Sequence, residues 1–269
     1  MNQDKAGKSY WDATWENTAV LSAVDPRLPG LNNRINRQFH EYFRKAFSGM
    51  KTKGKKLLEI GCARSQWLPY FAKEFGFIVS GVDYSEIGCV KAREILSHAG
   101  VSGEVVNVDF FNPPGHMLHA YDVVVSFGVV EHFENTLECI NACAKYLDRG
   151  GLMITVIPNL VGLMGLLQKK LNKPIYDKHE PLDINMLKEA HHRAGLTALM
   201  CDYFLSTNFG VLNMDGLNKM QTATRIKMFF CRSLSLASMM VWQIEEVIGS
   251  MPSSKVMSPY MICRGKSGK

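Results

Sequence analysis

Four acidic side chains fall at or just beyond the ends of short apolar runs: Glu59, Asp83, Asp109 and Glu131. Taken singly, each is equally well explained as a helix cap or a solvated turn residue. As a set in register with Gly61, they mark one edge of a sheet, where successive strands can converge on a ligand. Asp83 lies 22 residues after Gly61, a spacing at which a carboxylate can accept hydrogen bonds from both hydroxyls of a ribose. That suits any adenosine ligand. Glu59 is more selective. A dinucleotide loop needs G-x-G-x-x-G so that backbone can approach a pyrophosphate, but from Gly61 the chain reads G-C-A-R-S-Q. A carboxylate two residues before that loop repels phosphate and favours a ligand bearing a cation.

Two histidines could move a proton. His132 follows the fourth apolar run at the same edge, and His179 stands in "YDKHEP". Either is a candidate general base, and either could instead be a backbone-bonded or solvated residue. His191 and His192 sit on a helical stretch without an evident route to that edge. The seven cysteines include no CxxC pair. Cys139 and Cys143, four apart, offer half of a zinc site at most. No metal is expected, and free thiols point to a reducing, cytoplasmic setting.

The elements that position these residues alternate regularly. Apolar runs at 56–60, 77–82, 103–108, 121–127 and 152–157 are separated by helical patterns. This is the signature of βαβ units and a parallel, doubly wound α/β sheet, with runs such as "DVVVSF" buried on both faces. Residues 31–47 place Leu31, Ile35, Phe39, Phe43 and Phe47 at four-residue steps, as an amphipathic helix does. Beyond Pro158 come a helix over 183–195, with Asp183 as N-cap and Gly195 as stop, and a sixth strand in "TALMCDYFLS". A long Met-rich helical segment near 222–250 follows, then a last strand in "SPYMICRGK". The expected organisation is an N-terminal helical lid at 1–50 and one domain at 51–269, with substrate-capping insertions near 160–182 and 207–255.

With 269 residues and 46% apolar content, the chain can bury a substantial core. Its net charge of +6 is scattered in short clusters rather than a stripe interleaved with aromatics, so a nucleic-acid partner is not expected. The start, "MNQDKAGKSYWD", lacks an apolar leader, and no charge-poor window is long enough to cross a membrane. "LVGLMGLLQKKLNK" has the apolar face and basic flank of an interfacial helix, so weak membrane contact is one reading of it. Oligomeric state is not legible.

In order and spacing, "LLEIGCARS", "VSGVDYS", "VVNVDFF", "YDVVVSFGVVEHFEN" and "LDRGGLMITVIPN" resemble the successive motifs of class I S-adenosylmethionine-dependent methyltransferases. The resemblance covers roughly residues 55–159, and Glu131-His132 matches the "EH" of the ubiquinone-biosynthesis-like branch. It implies a Rossmann-like, seven-stranded sheet, mostly parallel with the last strand antiparallel. It also implies S-adenosylmethionine as cofactor and a small-molecule acceptor, methylated on oxygen more readily than on nitrogen or carbon. Glu59 would meet the methionine amino group, with Gly61, Cys62 and Ala63 forming the loop beside the cofactor. Asp83 would hold the ribose, Tyr84 and Phe110 would flank the adenine, and Asp109 would accept from its amino group. Phe127 and Val129 would line the floor. Tyr10, Trp11 and Trp15 would belong to a lid that keeps water from the sulfonium. Ala63 and Ser65 depart from the family's glycine-rich loop. Two other readings stay open: an NAD-type oxidoreductase, which the missing glycines and Glu59 oppose, and a methyltransferase-like binding protein without catalysis.

Overall fold

In the computed structural model, which describes residues 4–16 and 18–268, every expected apolar run is a strand. Positions 1–3, 17 and 269, within the expected lid and basic tail, lie outside the described residues. The order is α1 (Lys8–Glu16), α2 (Arg34–Phe47), β1 (Lys56–Ile60), α3 (Trp67–Phe75), β2 (Ile78–Asp83), α4 (Glu86–His98), β3 (Gly103–Asn107) and β4 (Tyr121–Phe127). There follow α5 (Thr136–Ala144), β5 (Leu147–Pro158), α6 (Leu163–Leu171), α7 (Lys173–Tyr176), α8 (Ile184–Arg193), β6 (Leu196–Phe204), α9 (Thr222–Ile248) and β7 (Tyr260–Ser267).

The strands form a seven-stranded sheet in the order β3-β2-β1-β4-β5-β7-β6, parallel from β3 through β5. The last strand, β7, enters antiparallel between β5 and β6. Because side chains alternate along a strand, Leu57 belongs to one apolar layer and Leu58 to the other. The first layer packs α2, α3 and α4 against the sheet through Phe43, Phe71 and Ala92; the second packs α5 and α8 through Ile140 and Leu187. Strand order reverses beside β1, which pairs with β2 on one side and β4 on the other. The crevice at the carboxyl ends of such a pair is where doubly wound sheets bind ligands.

Local signals explain most boundaries. Asp183 accepts from the amides of Asn185 and Met186 and so caps α8. Two features, at the end of α5 and at the cysteines, differ from the expectation. The helix of "TLECINACAKYLDRGG" stops at Ala144, not at its glycines, because "LDRGG" already begins β5, with Gly150 at φ 72°. The phenylalanines at 39, 43 and 47 are buried on α2 in the sheet's own core, Phe43 lying edge-on to Phe71 at 4.9 Å. Cys201 and Cys263 are not free: the antiparallel register sets them opposite each other, and they form a disulfide. The other five cysteines are free.

The second insertion is dominated by α9, anchored at its far end by a buried ion pair between Arg34 and Glu245 at 2.7 Å. Ile226, Phe229 and Phe230 on this helix remain exposed. Among the described residues, no helix is long and apolar enough to cross a membrane.

Candidate active site

Strand β1 delivers Glu59 to the carboxyl edge, and the turn that follows folds back over it. Gly61 holds φ 74°, and a Cβ there would sit 2.4 Å from Val129 Cγ2. Only glycine allows this turn to pass the β4 segment so closely. Ser65 then does two jobs. Its hydroxyl accepts from the amides of Trp67 and Leu68, opening α3, and donates to Glu59 Oε2 at 2.6 Å. Glu59 is buried, and burial pushes its carboxyl up to about 8 despite the Ser65 hydrogen bond. A carboxyl desolvated without a counter-charge awaits one.

Asp83, ending β2, accepts from the Ala63 amide at 3.0 Å and the Ser85 amide at 2.8 Å. Burial raises its carboxyl to about 6, and these two amides oppose the rise. The N-terminal segment closes the crevice from above. Asp4 bridges to Phe133, and its carboxylate accepts from Trp11 Nε1 at 2.7 Å and from the Tyr84 hydroxyl. Asp12 accepts from the Ser85 hydroxyl at 2.6 Å, fixing α1 over α4.

The resulting cavity measures about 250 Å³. Of the expected positions, Glu59, Gly61, Ala63, Asp83, Tyr84, Phe110, Phe127, Val129, His132, Trp11 and Trp15 line it. Four others do not. Cys62 points into the core beneath Gly81. Tyr10 packs against Trp11 and under the Lys178 ammonium. Asp109 is exposed and engaged by the Phe111 amide and the Asn112 side chain. His179 lies behind His132, their rings 4.5 Å apart.

Asp4, Trp67, Gly128 and Phe133 line the cavity without having been singled out in the sequence. Trp67 carried a usable signal, as an aromatic opening the helix after the loop; it stacks on Phe127 at 5.3 Å. Asp4 carried none, since its role depends on a contact 80 residues away in Tyr84. Nor was a cluster of Glu131, His132 and His179 foreseen. One ligating atom from each lies within 4.8 Å of the others. Burial pushes Glu131 up to about 8, and burial together with the neighbouring His179 pushes His132 down to about 4. At neutral pH His132 is therefore an uncharged imidazole at the cavity wall.

A family described as a methyltransferase domain matches residues 31–199. The chain belongs to this family. Its motifs and its sheet place it among the class I, S-adenosylmethionine-dependent members. Similar relatives include a ubiquinone biosynthesis O-methyltransferase from Sinorhizobium fredii, 30% identical over 154 residues, which are 56% of this chain and 58% of the relative. Another of that name from a Caulobacter species is 34% identical over 111 residues, 39% of this chain and 42% of the relative. The match thus spans about half the length of the curated relatives.

Among solved structures, the Haemonchus contortus phosphoethanolamine N-methyltransferase 2 with S-adenosyl-L-methionine superposes with a TM-score of 0.61 at 16% identity, covering 99% of this chain and 59% of that one. The [4+2]-cyclase SpnF gives 0.60 at 12% identity, over 99% and 96%. At these identities they establish the fold.

The residues present fit the family's cofactor. A desolvated carboxyl, Glu59, and an amide-held one, Asp83, both line the same cavity, which suits a ligand that carries a cation and hydroxyl donors. The close pass of Gly61 by Val129, which a side chain at 61 would block, sets the turn at the edge of the cavity that both residues line.

Proposed function

We propose that the protein transfers a methyl group from S-adenosylmethionine to a hydroxyl oxygen of a small, apolar acceptor. The observation that carries this reading is Glu59, buried and short of a cation, two residues before the loop that Gly61 opens. When bound, the cofactor supplies an electrophilic methyl on a sulfonium, and the protein supplies alignment and a dry site. Glu59 pairs with the ammonium, and Asp83, held by two amides, accepts from the ribose hydroxyls. Tyr84 and Phe110 flank the adenine, while Phe127 and Val129 form the floor. Residues 4–16 act as the lid, with Trp11, Trp15 and Asp4 excluding water. His132, neutral at pH 7, receives the acceptor's hydroxyl proton, with His179 behind it. The names of the relatives support oxygen as the methylated atom, and the apolar lining by Trp67, Phe127 and Phe133 supports an apolar acceptor.

Calorimetry with S-adenosylmethionine, S-adenosylhomocysteine and NAD tests the cofactor. Binding of the first two without NAD is expected, and binding of NAD alone overturns the reading. Incubation with methyl-labelled cofactor and a panel of phenols, amines and carbon acids tests the acceptor; label in amines only would refute the oxygen assignment.

A weak contact with membrane surfaces belongs to the same reading. It is supported by exposed Ile226, Phe229 and Phe230 on α9 beside the cations Lys219, Arg225 and Arg232. Co-flotation with anionic but not neutral vesicles, lost in Phe229→Ser, is the expected result; no flotation with either removes it.

A further inference from the structure

We propose that Glu131, His132 and His179 form a binding site for a divalent first-row transition ion of the zinc type, set in the wall of the cofactor cavity. The three come from two segments. Glu131 and His132 follow β4, and His179 follows α7; the Glu180 amide donates to the Glu131 carbonyl and ties the segments together. His132 Nδ1 lies 2.9 Å from the Lys178 carbonyl, and His179 Nδ1 lies 2.8 Å from the Ile175 carbonyl. A carbonyl oxygen only accepts, so each Nδ1 carries the ring proton and each Nε2 keeps a lone pair for another partner. Backbone carbonyls holding Nδ1–H in this way are how proteins orient ligating imidazoles.

Glu131 is 1% exposed, and its Oε2 has no hydrogen-bond partner. An unpaired carboxyl oxygen is costly to bury, and an ion beside the two imidazoles would displace its proton and satisfy it. The neighbouring ammonium groups are engaged elsewhere. Lys5 Nζ donates to the His179 carbonyl and to Glu180, both at 3.1 Å, while Lys178 lies over the Tyr10 ring.

Two imidazole nitrogens and one carboxylate oxygen select the metal class. Magnesium and calcium take oxygen ligands, whereas His2Glu sets with open positions bind zinc and its first-row neighbours. Of the three, His132 lines the cavity, so an ion held by the set would sit at the cavity wall. With the ion bound, His132 Nε2 is a ligand and no longer the base of the methyl-transfer reading; the site itself does not rest on that reading.

The full-length protein without a histidine tag, titrated with Co2+, tests the site. The expected result is one equivalent bound with visible d–d absorption, displaced by Zn2+ and not by excess Mg2+. Glu131→Gln and His179→Asn should each weaken Co2+ binding by at least about tenfold, while both variants still bind S-adenosylhomocysteine, which shows that they fold. Wild type that binds S-adenosylhomocysteine but no Co2+ overturns the site, as does Co2+ binding that both substitutions leave unchanged. Wild type that binds Co2+ but no S-adenosylhomocysteine supports the site and sinks the methyltransferase reading instead.

Discussion

At the residue scale, the proposed reading gives Glu59 the ammonium of the cofactor and Asp83 its ribose. Glu59 is buried, accepts from the Ser65 hydroxyl and holds its proton up to about 8. Pairing with an ammonium requires it to release that proton. Affinity for S-adenosylhomocysteine should therefore strengthen as pH rises from 6 to 8, by up to about tenfold per unit. Calorimetry across that range checks this, and a flat profile would remove the ion pair. Asp83 is fixed by the amides of Ala63 and Ser85. Asp83→Ala should weaken cofactor binding by about 1–3 kcal/mol, the scale of leaving polar groups unpaired. Unchanged affinity would refute the ribose assignment.

At the scale of elements, the site is a junction of strand ends under an N-terminal cover. The turn after β1 is shaped by Gly61 and Ser65, the β4 segment supplies its floor, and the N-terminal segment covers it. Asp4 is the clasp of the cover, accepting from both Trp11 and Tyr84. Asp4→Ala should release residues 4–16, seen as faster limited proteolysis within α1. It should also weaken S-adenosylhomocysteine binding by up to about 1.5–3 kcal/mol, as for loss of hydrogen bonds to a charged group. Protease resistance equal to that of wild type would show that the segment is held by packing alone. The helix at 34–47 and the strands were legible because apolar spacing records which face is buried. The arrest of α5 at Ala144 was not, because β4 draws the following residues into its ladder from Leu147 onward.

At the scale of the whole molecule, buried titratable groups make stability depend on pH. Glu59 and Glu131 keep their protons to about 8 in the fold, whereas an unfolded carboxyl loses its proton near about 4.3. Between those values the unfolded chain binds fewer protons. Stability therefore falls as pH rises, by about 1.4 kcal/mol per unit for each group. His132 and His191, both held down to about 4 by burial, act in the opposite sense. They favour the fold above an unfolded imidazole's value of about 6.5 and lose that contribution as pH drops towards 4. The ligand-free protein should thus lose Tm from pH 6.5 to 8, and Glu131→Gln should reduce the slope. Scanning calorimetry that finds no slope over that interval would contradict the burial argument.

The sequence by itself determined the sheet, its ligand-binding edge and the acids that reach it, because periodicity and strand-end spacing are local properties of the chain. It also argued for a cation opposite Glu59 and against a pyrophosphate loop. Tertiary structure alone decided what depends on distant parts meeting. It turned Asp109 out to solvent, brought Asp4 onto Tyr84, and joined Cys201 to Cys263 across an antiparallel register. It also set His179 behind His132 with an orphaned Glu131 beside them. These contacts span 47 to 80 residues, and no short-range pattern encodes which distant side chain a folded backbone will face.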